Sequence, residues 1–318
     1  MRILSGIQPS GTIHIGNYFG MMKPAMELSK KGEAYLFIAD YHALTVLPEP
    51  EKLRERIINV AVDFIACGLT DETVFFKQSD IRCVPELTWI LSCVTPMGLL
   101  ERCHGYKDKL AHGLSPNHGL FAYPVLMAAD ILIYKSNIVP VGRDQKQHVE
   151  VARDIAQRFN NKYGEILVLP EPQIREDVAL VPGTDGQKMS KTYGNTIELF
   201  GNEKELRKKF MGIVTDSKSL EEPKDPEKCP VFALYRLFAS NEQIDAMAAN
   251  YRKGGYGYGH AKKELFDVFW EYFRPFRTRR EELLKDMAYV NSFLKRGAWK
   301  ANETAEKTMK QVRESIGL

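Results

Sequence analysis

Over about its first 185 residues the chain alternates short apolar runs with amphipathic helical periods, and this alternation limits its possible folds more than any other feature. "RILSG" at the start, "AYLFIAD" (34–40), "TVFFKQSD" (73–80) and "NIVPVG" (137–142) read as strands. Between them "EKLRERIINVAVDFIACG" (51–68) repeats apolar residues at intervals of three and four and stops at a glycine suited to a left-handed cap. Strand, helix and strand in that rhythm are βα units, which predict an α/β fold with a mostly parallel sheet covered on its faces.

Beyond about residue 190 the strands stop. "EKELRKKFMGIV" and "KKELFDVFWEYFRPFRTRREELLKDM" carry helical periods rich in charge and aromatic rings. "TDSKSLEEPKDPEKCP" (215–230), with three prolines, reads as a surface loop. The expectation is therefore two domains, 1–190 and 191–318, the second all-helical, with the last helix placed to return to the first.

A length of 318 residues, 27% charged and 44% hydrophobic, fits such a pair of globular domains and excludes disordered or fibrous classes. The net charge of +3 permits an anionic partner without marking a dedicated nucleic-acid binder. No charged start leads into a long apolar run, and none approaches the roughly 20 residues of a membrane span. A cytoplasmic location and no membrane contact are expected. Cys67, Cys83, Cys93, Cys103 and Cys229 are odd in number and scattered, so they read as reduced thiols, and no tightly bound protein-ligated metal is predicted.

Two stretches carry the chemistry. In "SGIQPSGTIHIGNYFG" (5–20) a strand end, turn glycines at 6 and 11 and a helix beginning near Ile15 make an anion site, because free N–H groups and the helix dipole converge. His14 sits beside it, as a cap, a core residue or a phosphate donor. The stretch is neither a P-loop nor a Gly-x-Gly-x-x-Gly fingerprint. In "DGQKMSKTYGN" (185–195) Lys188 and Lys191 place two ammonium donors within reach of one triphosphate, or form a solvated loop.

His-Ile-Gly-Asn near the start, followed about 170 residues later by Lys-Met-Ser-Lys-Thr, resembles the paired signatures of class I aminoacyl-tRNA synthetases. The resemblance implies a Rossmann-type, doubly wound parallel sheet. It also implies that Gln8, Pro9, Ser10, His14, Gly16, Asn17, Lys188 and Lys191 close over ATP, with Met189, Ser190 and Thr192 completing the lysine loop. His14, Lys188 and Lys191 are the implied catalytic residues, and the helical domain is the implied tRNA-binding part. "GIQPSGTIHIGN", "ADYHALT" (39–45), "YPVLMAADILIY" (123–134), "VGRDQKQH" (141–148) and "KMSKT" (188–192) are together similar to the tryptophanyl-tRNA synthetase family over nearly the whole chain. The related tyrosine-specific family usually differs in the third and fifth segments.

The residues can be read physically beside that resemblance. If 121–134 is helical, Tyr123, Met127 and Asp130 lie along one stripe at i, i+4 and i+7, and one carboxylate turns inward. Indole offers one donor and no acceptor, so a buried carboxylate suits it, whereas phenylalanine would leave the charge unpaired. By similarity Tyr123 and Gln145 hold the ammonium and carboxylate of tryptophan, and His42 of "ADYHALT" lines the same site. In "GRDQ" Gly142 lets a ribose approach, Arg143 borders the nucleotide, and Asp144 serves as helix cap or as acceptor for ribose hydroxyls. Ala179 of "VALV" packs on adenine.

The chain departs from the commoner bacterial pattern at Leu4, where phenylalanine is frequent, and at Gly105, where glutamine is frequent. His104, Tyr106 and Lys107 are the candidates to compensate. Thr192 stands where serine is usual and keeps the hydroxyl. The implied reaction joins L-tryptophan to ATP, with Mg²⁺, and passes the product to tRNA(Trp) in a homodimer. Arg207, Lys208, Lys209 and the run 276–280 are candidate RNA contacts. The alternatives are tyrosine activation and a synthetase-like module that only binds RNA.

Overall fold

The computed structural model describes residues 1–103, 117–142, 145–174 and 181–318. Five strands, β1 (Arg2–Ile7), β2 (Glu33–Ile38), β3 (Val74–Lys77), β4 (Ile138–Val141) and β5 (Glu171–Ile174), form one sheet in the order β3-β2-β1-β4-β5. Every pairing is parallel, with Arg2 opposite Glu33 and Ile3 opposite Ile138. The order reverses at β1, which makes a Rossmann-type sheet with its switch point between β1 and β4.

Among the described residues the helices of nine residues or more are α1 (Pro50–Ala66), α2 (Cys83–Ser92), α3 (His118–Ile133), α4 (Lys146–Tyr163), α5 (Glu203–Met211), α6 (Asn241–Lys253), α7 (Tyr258–Tyr272), α8 (Arg274–Lys285) and α9 (Met287–Ile316). None is long and apolar enough to cross a membrane.

The chain divides into two compact units whose members interleave along the sequence. The first gathers 1–11, 25–176 and 285–318; the second gathers 12–24 and 177–284. The sequence reading places one boundary at 190 and has the last helix return to the first domain.

In the first unit β1 and β2, at the middle of the sheet, are apolar on both faces, as a sheet covered twice requires. Tyr35 of β2 stacks on Tyr134 at 4.6 Å inside that core. The terminal helix α9 packs on β3 so closely that a Cβ at Gly297 would stand 1.9 Å from the Phe75 carbonyl oxygen. Only glycine lets the two backbones meet there. Gly6, read from sequence as a turn residue, lies instead within β1, where a Cβ would strike the Phe37 ring at 2.6 Å. The strand β5 was not expected. It contains Pro172, which an edge strand tolerates because one row of its N–H groups faces no partner.

The second unit is helical around an aromatic core of Phe210, Phe266, Phe269 and Phe273. The run 262–287, continuous in its period, breaks at Phe273 because Pro275 opens the next helix in its first turn. The expected loop 215–230 is pinned from within: buried Lys224 donates from Nζ to the carbonyls of Ser219, Leu220 and Glu222. All five cysteines are free thiols, Cys93 exposed and the others buried.

Candidate active site

In the first unit, functional side chains gather just past the carboxyl ends of β1, β2 and β3, where doubly wound sheets place their ligands. The stripe read from sequence lies on α3: Tyr123 and Met127 are half-buried, and Asp130 is only 2% exposed. Both Asp130 carboxylate oxygens accept from Gln78 Nε2, at 2.9 and 2.8 Å, and Oδ2 lies 2.9 Å from His42 Nε2. Burial pushes the Asp130 carboxyl above the ordinary carboxylate value, and the His42 and Gln78 hydrogen bonds oppose that rise. Three of about four lone-pair positions on the carboxylate are then used, which leaves one for an incoming donor.

Gln78 is 1% exposed and is fixed in turn, since its Oε1 accepts the Tyr41 amide at 3.0 Å. Asp40 holds the neighbouring turn by accepting the amides of Tyr41 and Ser79 at 3.1 and 2.9 Å. Gln8 donates from Nε2 to the His42 carbonyl at 3.2 Å, tying the end of β1 to the end of β2. Pro9 is buried, and the Ser10 amide closes a tight turn on the Gln8 carbonyl at 2.8 Å. The Tyr123 hydroxyl lies 2.7 Å from Nε2 of buried His148, and its ring meets that of His42 edge-on, centroids 6.3 Å apart. Gln145 is exposed at the start of α4, its amide bonded to the Gly142 carbonyl at 2.9 Å.

The structure brings Asp130, His42 and Tyr123, singled out from sequence, together with Gln78, Asp40 and His148, which were not. Gln78 and Asp40 had a usable signal in their position at the ends of predicted strands. His148 stands three residues beyond Gln145, within a quoted motif. Arg143, Asp144, Ala179 and the segment 104–107 lie outside the described residues.

The second unit holds both synthetase signatures together. The stretch 13–15 pairs with 197–199 through Ile15 N to Ile197 O at 2.9 Å and Leu199 N to Ile13 O at 3.2 Å. His14, 5% exposed, caps the helical turn Ile15–Asn17: its Nδ1 accepts the Asn17 amide at 3.3 Å, while Asn17 Oδ1 accepts the His14 amide at 3.2 Å. With Nδ1 accepting, the proton of a neutral ring sits on Nε2 as a donor. Burial, then the Lys191 charge, hold the His14 pKa down to about 4 against a smaller opposing pull from Glu198. The ring is neutral at physiological pH.

The amides of Gly16 and Asn17 were expected to be free for an anion. They are instead engaged, Gly16 N with Met189 Sδ at 3.4 Å and Asn17 N with His14. Lys188 and Lys191 are exposed, Met189 is buried, and Ser190 Oγ accepts the Thr192 amide at 3.3 Å. The candidate RNA cations are largely engaged within their own unit. Arg207 pairs with Glu203 and Asp267 and covers the Phe266 ring. Lys209 binds both oxygens of Glu198, and Arg277 stacks 3.5 Å from the Trp270 ring. Lys208 stays exposed.

A parallel sheet of reversed order, a buried capping histidine whose helical turn meets the lysine loop through the Gly16 amide and Met189 Sδ, and a buried carboxylate on an apolar helix are the features of a class I synthetase. The family model for class I tRNA synthetases (W and Y) matches residues 1–274. The chain belongs to that family.

Relatives narrow the comparison. The chain is 53% identical to the tryptophan–tRNA ligase of Rhodopirellula baltica over the full length of both. It is 51% identical to that of Fusobacterium nucleatum, covering 100% of this chain and 98% of the other. Among solved structures it is similar to the tryptophanyl-tRNA synthetase of Campylobacter jejuni complexed with ADP and tryptophan, at 50% identity and a TM-score of 0.96 with both chains fully covered.

Proposed function

We propose that the chain is a tryptophan–tRNA ligase, which activates L-tryptophan with ATP to the adenylate and transfers it to the 3′ end of tRNA(Trp). The observation that carries this choice within the family is Asp130, a buried carboxylate with one acceptor position left at the end of an apolar helix stripe. Indole N–H fills that position, and the names of the full-length relatives support the same reading.

The tryptophan carboxylate is already a nucleophile at neutral pH, so activation requires no general base and no covalent intermediate. One of its oxygens attacks the α-phosphorus, the bond to the bridging oxygen breaks, and diphosphate leaves with the electron pair. Catalysis therefore consists of alignment and charge stabilisation. His42 and Gln78 hold Asp130, which orients the indole, and Tyr123 and Gln145 receive the ammonium and carboxylate. His14 donates from Nε2, and Lys188 and Lys191 neutralise charge on the transferring and leaving oxygens. Gln8, Pro9, Ser10, Gly16, Asn17 and Gly142 border the nucleotide. Mg²⁺ enters with ATP as a counter-ion of the phosphates. Among the described residues no group of three or more His, Cys, Asp or Glu is placed to hold a metal, so no step is assigned to the ion. By family precedent the enzyme works in the cytoplasm as a homodimer, with the helical part, Lys208 included, meeting tRNA.

Amino-acid-dependent exchange of labelled pyrophosphate into ATP tests the reading. Exchange with tryptophan at least about a hundredfold above tyrosine is expected, on the scale by which polar mismatches discriminate. Preference for tyrosine, or silence with every amino acid while RNA binding persists, overturns it.

A further inference from the structure

The loop bearing Lys188 and Lys191 is fixed by a side chain from outside the lysine signature. Asn195 is 2% exposed, and each polar position of its amide has a partner. Its Nδ2 donates to Asp185 Oδ1 at 2.7 Å and to the Lys188 carbonyl at 3.0 Å, and its Oδ1 accepts the Ser190 amide at 2.8 Å. Its own carbonyl accepts the Thr184 amide at 3.0 Å. The opposite side is closed by Gly183, where a Cβ would stand 2.4 Å from the Asn195 amide group. Behind it, Met189 N bonds the Val181 carbonyl at 2.9 Å and Pro182 bridges Lys188. The backbone on both sides of the exposed lysines is thus set by one buried amide.

The chemistry of that amide has no isosteric substitute. An aspartate has the same shape, yet it would turn an oxygen toward the Asp185 carboxylate and the Lys188 carbonyl, where two N–H donors now stand. A buried group left facing like partners forfeits its hydrogen bonds and repels them.

We infer that Asn195, wedged against Gly183 and paired with Asp185, is a positioning residue that latches the lysine loop so that Lys188 and Lys191 are presented together to the triphosphate. The inference rests on the reading of those lysines as ATP donors. Asn195 touches no substrate itself; it acts through the backbone of residues 188 and 190.

The test compares the full chain with Asn195→Asp, with Gly183→Ala, which pushes the amide aside without adding charge, and with the double variant Asp185→Asn/Asn195→Asp, which reverses the pair. Tryptophan-dependent exchange gives kcat and the KM for ATP, equilibrium dialysis gives tryptophan affinity, and mass spectrometry gives rates of tryptic cleavage after Lys188 and Lys191. Asn195→Asp should lower kcat/KM for ATP by about tenfold or more, the scale of one net buried hydrogen bond. Cleavage after Lys188 and Lys191 should quicken comparably, with tryptophan affinity within about twofold of the parent on the same scale of reasoning. The deficit should shrink as pH falls from about 8 to 6, because two facing carboxyls raise each other's affinity for a proton. The reversed pair should recover part of the loss, and Gly183→Ala should reproduce the split without the pH dependence. Unchanged cleavage and ATP kinetics in both single variants overturn the latch, as does a parallel loss of tryptophan affinity. A parent chain silent in exchange overturns the proposed function instead, while the cleavage rates still decide the latch.

Discussion

The amide of Gly16 donates to the thioether sulfur of Met189 at 3.4 Å across 173 residues of sequence. A sulfur acceptor at that distance is weak, so the contact is easily exchanged for a phosphate oxygen, and the cap made by His14 is next to it. The two signatures therefore meet through an interaction that ligand binding can replace without breaking a strong bond.

That arrangement gives His14 two separable duties. His14→Asn keeps an acceptor for the Asn17 amide but removes the Nε2 donor, so helix stability should be nearly unchanged while exchange kcat falls about a hundredfold, as for loss of one transition-state donor. Thermal unfolding and exchange kinetics on the same preparation separate the duties; equal activity in the variant removes His14 from the chemistry. The pH dependence has a definite sign. Because the folded pKa is lowered from 6.5 to about 4, the stability contributed by the neutral ring is complete above pH 6.5 and is lost as pH falls toward 4. Urea unfolding across that window should show this slope in the parent and a shallower one in the variant.

Gln78 is the second point of attack. Gln78→Leu takes two donor contacts from a buried carboxylate, which should cost about 2 kcal/mol of stability or more and weaken tryptophan binding while ATP affinity holds. Asp130→Asn works in the opposite direction on stability. Burial holds the Asp130 pKa above its ordinary 3.8, so the carboxyl destabilises the fold increasingly as pH rises from 3.8 through the folded value. The asparagine variant should accordingly gain stability over the parent across that window and then stay level, while losing tryptophan use. A constant offset from acid to neutral pH contradicts this.

Gly297→Ala tests the seat of the terminal helix. The added methyl meets the Phe75 carbonyl oxygen, so α9 must move off β3 and stability should fall by about 2 kcal/mol or more, the range of overpacked cores. Calorimetry reads the change directly, and a melting temperature equal to the parent's refutes the close approach.

What the sequence disclosed follows its physics. Four strands were legible because each is a near-continuous apolar run bounded by turn residues, as β2 shows with Ala34 to Ile38 all buried. The strand β5 was not, since "EPQI" is short, polar and interrupted by Pro172. The inward placement of Asp130 was legible from period, as the one carboxylate on an apolar helix, while its assignment to tryptophan came from the family resemblance. For Gln78 only its place at the end of a predicted strand was legible; its partner was not, because an amide reaching a carboxylate 52 residues away leaves no local pattern. Asn195 was hidden for a similar reason: "YGN" reads as a turn, and its hydrogen bonds run backward to residues chosen for other chemistry. Periodicity reports faces, whereas polar networks are set by tertiary partners.

The contact between Gly297 and Phe75 also orders events in time. During synthesis β3 leaves the ribosome more than two hundred residues before α9 does, and every residue from 177 to 284 emerges in between. The helical unit can thus complete its own core while the sheet still lacks the helix that seals one of its strands. The emergence of α9, and not the making of the sheet, is the moment at which the first unit becomes whole.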